Sequence, residues 1–283
     1  MLKRILIPVD TSEFTDSAIR IAADMARQER QAESGVVTLV GLGLIDTEQL
    51  PAGRFAKLVP REQILQEAEA QINERIAHFK SLVDSLGIPA DRVQTRVEQG
   101  PPFRKIIHNS VVCDLVAMGM RCSFPPINQD YESLSNIIHS ASRPVVIADQ
   151  NYSSIERVLM VMDGTAPSSR MIYAYALLNP MPLAQVTLLY SQEEVERYPS
   201  LTGFFERAAE FLREHGIDVT PLPVPAVGET VIEAITHEKG ADMIALGVHA
   251  SHFMDHLRDP LNLRQPFVER LLKKTSASLF TVA

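Results

Sequence analysis

Cysteine is scarce: the 283 residues hold only Cys113 and Cys122. With no secretion signal ahead of them, two thiols do not make a disulfide framework. Long hydrophobic runs are missing as well, and none reaches the roughly 20 residues of a membrane span. The opening "MLKRILIPVD" is broken by Pro8 and Asp10 too early for a signal peptide, so the expected location is the cytosol. Basic residues are outnumbered, 27 Lys and Arg against 35 Asp and Glu, for a formal net charge of -8. Nucleic acid and anionic membrane both call for a cationic field, and neither is an expected partner. Three phosphate-handling signatures are absent too. There is no GxGxxG turn and no GxxxxGK[ST] loop, and the acids and late lysine of a phosphoacceptor receiver do not occur.

What remains is the composition of a folded globular protein, 46% hydrophobic and 22% charged. Its length exceeds what one hydrophobic core usually supports, so two domains are expected. The chain also repeats itself. "KRILIPVDTSEFTDSAIRIAADMA" from Lys3 aligns with "ERVLMVMDGTAPSSRMIYAYALL" from Glu156, setting Asp10 opposite Asp163. Further on, "GPPFRKIIHNSVVCDLVAMG" aligns with "GETVIEAITHEKGADMIALG", pairing Asp114 with Asp242 and Gly119 with Gly247 without a gap. The first copy is longer, and its excess falls around "IDTEQLPAGRFAKLVPREQ", a lid or interface candidate.

Each copy alternates short apolar runs with amphipathic stretches, the mark of βαβ units and a parallel sheet. Strands are predicted at 4–9, 37–44, 93–98, 115–119 and 145–148, and again at 157–162, 185–190, 218–224, 243–247 and 279–282. In the first copy helices are predicted near 12–28, 61–86, 101–110 and 132–140. The expected fold is α/β: two tandem doubly wound five-stranded parallel-sheet domains, residues 1–150 and 155–283, with strand order 3-2-1-4-5. The polar "QNYSSIE", residues 150–156, is the expected link, and Ile155 is its one core residue. In such a sheet the ligand crevice lies between the first and fourth strands, outside their carboxyl ends. Asp10 and Gly119 mark it in the first copy, Asp163 and Gly247 in the second.

On these motifs, "PVDTSE" and "VMDGTA", the "GPP" and "GET" turns, and "CDLVAMG" and "ADMIALG", both halves resemble universal stress protein domains, and the chain is similar to a tandem member of that family. The resemblance implies a non-enzymatic stress-response or regulatory protein. It also implies an internal pseudo-dimer made through the two final strands, and it leaves open a homodimer of the whole chain. In ATP-binding members it implies an Asp near the nucleoside and a phosphate loop of pattern GxxGx9G[ST].

The first half keeps that spacing without its residues. Gly119 fills the first glycine position, Cys122 the second, Glu132 the third, and Ser133 the hydroxyl position. A glycine there tolerates positive φ and lets backbone N–H groups approach an anion. A left-handed Cys122 would cost about 1–2 kcal/mol. A Glu132 carboxylate about 4 Å from a phosphate would cost on the order of 4 kcal/mol at a surface-like dielectric, more than the roughly 1.5–3 kcal/mol a charge-assisted hydrogen bond returns. Its ordinary role is an acid at a helix N-terminus. In the second half Ala250 takes the second glycine position, and the last helix is expected to start at Gln265–Pro266 with no GS pair before it. ATP is therefore disfavoured as a cofactor in both halves, the first being the nearer to a phosphate loop. The small-molecule ligand and any protein partner are left open. Alternatives are weak ATP hydrolysis in the first crevice, and a metal or small-molecule sensor built on His249, His252 and His256.

Asp10 and Asp163 are read either as hydrogen-bond acceptors for a ligand or as caps of the following helix. Ser12 and Thr165 are read as caps, Cys122 as an exposed loop thiol and Cys113 as packing. The stripe Phe204, Phe205, Ala208, Ala209, Phe211 and Leu212 is read as a buried helix face.

Overall fold

The computed structural model describes all residues except 32–35, 49–59, 126–133, 153, 199–200, 202, 249–270 and 272–273. In chain order the first half contains β1 (Arg4–Val9), α1 (Thr15–Gln31), β2 (Thr38–Ile45), α2 (Arg61–Ser85), β3 (Val93–Gln99), α3 (Pro102–Ser110), β4 (Leu115–Gly119), α4 (Leu134–Ser140) and β5 (Val145–Ala148). The second contains β6 (Arg157–Met162), α5 (Ala166–Leu178), β7 (Gln185–Ser191), α6 (Gln192–Arg197), α7 (Phe204–Glu214), β8 (Val219–Val224), α8 (Glu229–Lys239), β9 (Met243–Gly247) and β10 (Ser278–Val282).

The inner strands β1, β4, β5, β6 and β9 are apolar runs because both faces of the sheet are covered there, whereas the edge strand β3, VQTRVEQ, is polar and has no buried residue. Alternate residues go to opposite sides. Ile5, Ile7 and Val9 of β1, with Val158, Met160 and Met162 of β6, join a core layer that includes Ile19 of α1, Ile72 of α2, Tyr175 of α5 and Leu212 of α7. Leu6, Leu159 and Val161 face the other way, toward Ile106 of α3, Ile137 of α4 and Ile232 of α8. Phe205, Ala208, Ala209 and Leu212 are buried as the stripe predicts, with Phe204 and Phe211 at its half-buried margin.

All ten strands form one sheet, in the order β3-β2-β1-β4-β5-β10-β9-β6-β7-β8. Each half keeps its own block in the order 3-2-1-4-5, and pairing within each block is parallel. The blocks meet edge to edge where β5 runs antiparallel to β10, pairing Val145 with Thr281, Val146 with Phe280 and Ile147 with Leu279. Like strands meeting antiparallel is what a local two-fold axis requires, and each block hides the other's exposed edge. The halves are joined in one sheet without interleaving.

The gapless match of Asp114 with Asp242 has a structural cause. Asp114 Oδ2 accepts the backbone N–H groups of Lys3 and Arg4, each at 2.8 Å. Asp242 Oδ2 accepts those of Glu156 and Arg157 at 3.0 and 2.9 Å. In each half an acid ahead of the fourth strand thus holds the entry of the first. The link between halves rests on α1, where Ser17 Oγ donates to the Gln150 carbonyl at 2.8 Å and the Tyr152 hydroxyl donates to Asp24 at 2.6 Å. Ile155 is 2% exposed, the one fully buried residue among the described residues of the link, with Tyr152 packed against the core beside it.

Candidate ligand-binding crevices

At the carboxyl end of β1 the chain turns into α1, and the β4 end lies beside it. Asp10 sits at this switch point with 1% of its surface exposed. Its Oδ1 accepts from the Ser12 backbone N–H at 2.9 Å, from Ser12 Oγ at 2.7 Å and from the Thr15 hydroxyl. Oδ2 accepts from the Ser123 backbone N–H at 2.8 Å, and the Cys122 thiol also hydrogen-bonds to this carboxylate. Burial raises the Asp10 carboxyl above its usual range, and the hydrogen bonds only partly offset it.

The surrounding backbone is laced together. The Thr11 N–H and hydroxyl both donate to the Ser123 carbonyl at 2.9 Å. From α2, Arg75 donates to the Asp10 carbonyl at 2.9 Å and the Ser12 carbonyl at 3.1 Å. The Asp46 N–H, after β2, donates to the Pro125 carbonyl at 2.8 Å. These bonds tie the ends of β1, β2 and β4 into one cap.

Cys122 and Phe124 lie inside this cap, 5% and 3% exposed. This corrects the expected exposed loop thiol: Cys122 turns inward under the Asp10 carboxylate. Burial pushes the thiol well above its ordinary 9.0, and the Asp10 charge adds to the effect. Among the described residues Asn179 is the one non-glycine with positive φ, so Cys122 carries no left-handed strain. Cys113 is buried as packing.

The strand-end glycines serve neighbouring helices. Neither Gly119 nor Gly247 has a positive φ. A Cβ on Gly119 would lie 2.5 Å from the Phe14 Cβ and 2.6 Å from the Phe14 carbonyl oxygen. One on Gly247 would lie 2.2 Å from the Pro167 carbonyl carbon and 2.3 Å from the Ser168 nitrogen. The turn into α1 in the first half, and the first turn of α5 in the second, are set so close to the fourth strand that only glycine fits.

The second crevice repeats the turn but differs around it. Asp163 Oδ1 accepts from the Thr165 N–H at 3.0 Å and its hydroxyl at 2.6 Å, matching Asp10 and Ser12. Thr165 caps α5, accepting from the Ser168 N–H at 3.4 Å. Ser12, by contrast, lies ahead of α1, which begins at Thr15, and its hydroxyl goes to Asp10. Asp163 is solvent-exposed, and among the described residues its Oδ2 has no partner. Beside it opens a cavity of 210 Å³ with a floor of Val161, Ile232 and Leu246. Its rim carries Asp163, Ser168 and Glu229. Glu229 in turn accepts from Lys274 Nζ at 2.7 Å, and Lys274 also bridges to Glu233 at 2.8 Å.

Of the residues singled out in the sequence, Asp10, Cys122 and Gly119 converge at the first crevice, and Asp163 and Gly247 at the second. Ser133 and Glu132 lie outside the described residues, as do Ala250, the expected Gln265–Pro266 helix start, His249, His252 and His256, and positions 49–59 of the lid candidate. Sequence reasoning missed Arg75, Thr15, Ser123 and Lys274. Glu229 stands in the "GET" turn and was there to be found.

Two doubly wound five-stranded blocks with crevices at matching switch points define a tandem α/β protein. The model of the Universal stress protein family matches residues 1–148. The chain belongs to the universal stress protein family. It is 22% identical over 306 residues to Universal stress protein Slr1230 of Synechocystis sp. (strain ATCC 27184 / PCC 6803 / Kazusa), covering 99% of both chains. Among solved structures, a universal stress protein from Archaeoglobus fulgidus DSM 4304 shares the fold with a TM-score of 0.67 at 17% identity, covering 99% of this chain and 95% of that one. A functionally unknown protein from Pseudomonas aeruginosa PAO1 gives a TM-score of 0.51 at 13% identity, covering 99% and 92%.

Proposed function

We propose that this is a non-catalytic, cytosolic regulatory protein of the stress response, with domains 1–150 and 155–283, in which the second crevice reads a small ligand and the first serves as structure. The contrast between the two carboxylates supports this reading. Asp10 is buried under internal donors on both oxygens, whereas Asp163 keeps one oxygen turned to solvent beside an open cavity.

The lining suggests the ligand's chemistry. An apolar floor suits a flat ring, and two carboxylates at the rim suit N–H or O–H donors. A phosphate about 4 Å from either carboxylate would meet on the order of 4 kcal/mol of repulsion, and the nearby Lys274 is already held by two glutamates. A nucleoside without its triphosphate fits this chemistry, and both phosphate loops are degenerate in the same sense.

Calorimetric titration with adenosine as the probe tests the reading. Saturable binding is expected, weakened about ten-fold or more by Asp163→Ala through loss of a charge-assisted hydrogen bond. MgATP is expected to bind more weakly than adenosine. MgATP binding more tightly than adenosine, or adenosine binding indifferent to Asp163→Ala, would overturn it.

A further inference from the structure

A larger cavity, 440 Å³, lies away from both crevices at the seam between the halves. Three separate segments wall it: described residues of the link, among them Asp149, Tyr152 and Arg157, the carboxyl end of α8, and the approach to β10. The volume is that of a small-molecule site.

The link carries an acid where it leaves β5 and a base where it enters β6, and both face this cavity. Each is fixed. The Asp149 N–H donates to the buried Ser278 hydroxyl at 3.1 Å, and Asp149 Oδ2 accepts the Asn151 N–H at 3.0 Å. Arg157 lies flat on Gly240, the left-handed cap of α8. A Cβ there would be 3.1 to 3.2 Å from Nη1, Cζ and Nη2 alike, so the guanidinium presents its face to the glycine and its N–H edges elsewhere. The negative end of the α8 dipole favours a cation in this place. Arg157 Nη2 forms an ion pair with Asp242 Oδ1 at 3.7 Å, while Asp242 Oδ2 accepts two backbone N–H groups, and the other guanidinium N–H groups have no acceptor among the described residues.

Lys274 is spoken for by Glu229 and Glu233. The charged lining, Asp149, Glu233 and Asp242 against Arg157 and Lys274, is close to balanced, which disfavours a polyanion and a polycation alike. The groups with capacity to spare are opposite in sign and sit at the two ends of one loop. Ile155, Tyr152 and Ala241 add apolar wall between them.

From this arrangement we infer that the seam cavity is a binding site for a small zwitterion of the α-amino-acid class. Its carboxylate meets the Arg157 guanidinium, its ammonium meets the Asp149 carboxylate, and its side chain lies against the half-buried Tyr152 and Ala241. Occupancy ties the link to the second half.

The common L-α-amino acids, tried singly at millimolar concentration with the full chain, are the probes, with calorimetry on those that raise the melting temperature. At least one is expected to bind saturably, with its N-acetyl derivative and its methyl ester each about ten-fold weaker or worse. Arg157→Met is expected to weaken the parent amino acid by a similar factor while leaving the ester unchanged, and Asp149→Asn to do the same with respect to the N-acetyl form. Asp163→Ala leaves this binding untouched, which separates it from the adenosine experiment. Absence of saturable binding by every amino acid overturns the inference, as does a loss on Arg157→Met that is equal for parent and ester.

Discussion

The backbone N–H of Ser123 donates to Oδ2 of Asp10 at 2.8 Å, across 113 positions of chain, and closes the loop after β4 onto the turn after β1. A ligand seeking the Asp10 carboxylate would have to displace that bond and the Ser12, Thr15 and Cys122 donors with it. In the first half, then, the residue type that marks the crevice in sequence has become part of its cap.

Asp10→Ala is therefore expected to lower stability by about 3 kcal/mol, since it strands the buried Ser123 N–H and the Ser12 and Thr15 hydroxyls. Denaturant unfolding measures this. The pH dependence follows from the raised carboxyl. Folded Asp10 takes up its proton more readily than the unfolded chain, whose value is near 3.8. That contribution is complete below 3.8 and is lost as pH rises through the folded value. The cost of Asp10→Ala should thus be larger in acid than at neutrality, and a cost that grows toward neutral pH would contradict the burial argument.

Gly119→Ala places a methyl within 2.6 Å of the Phe14 backbone in the turn before α1, and Gly247→Ala places one within 2.3 Å of the α5 backbone. Each is expected to cost about 2–4 kcal/mol by denaturant unfolding. Gly228 is different. It precedes α8 with no side-chain cap, its φ of -155° suits any residue, and a Cβ there meets nothing within 4 Å. Gly228→Ser should raise stability by roughly a few tenths of a kcal/mol by supplying the missing side-chain cap.

The inner strands were readable because they are unbroken apolar runs with both faces covered, unlike the polar edge strand β3. "RILIPV" and "LVAMG" leave few alternatives, and the observed edges depart from the predicted ones by one residue at most. The start of α1 was placed three residues early at Ser12, because a residue that looks like a cap donates its hydroxyl to Asp10 instead. Short α6 gave too little periodicity to register. Cys122 was read as exposed from its polar neighbours, but Phe124 two residues on anchors the segment and carries the thiol inward. Arg75 bonding to Asp10, and the seam cavity drawn from three distant segments, leave no local pattern at all.

Phe280 sits at the middle of the β5–β10 seam, fully buried, opposite Val146 and edge-on to Tyr175 at 5.2 Å. Phe280→Ala should cost about 3–5 kcal/mol. The Tyr175 contact lies within the second block, but Val146 lies across the seam, so the lost packing there weakens the hold between blocks and unfolding of the variant should also separate into two transitions where the parent shows one. A single, merely shifted transition would argue against the seam as the coupling element.

Thiol chemistry offers a direct check on the first crevice. The nucleophile in alkylation or disulfide exchange is the thiolate, so reactivity follows both access and acidity. Cys122 fails on both counts, being 5% exposed and pushed to a higher pKa by burial and by the Asp10 carboxylate. Cys113, 4% exposed, is raised by burial too. Neither should react with an aromatic disulfide reagent in the native protein at neutral pH on the time scale of a model thiol, and both should react in denaturant. Asp10→Ala removes the carboxylate and loosens the cap, and should speed modification of Cys122 selectively, which peptide mapping can resolve. Rapid native labelling of Cys122 in the unsubstituted protein would mean that the loop after β4 opens readily, leaving Asp10 available to a ligand after all.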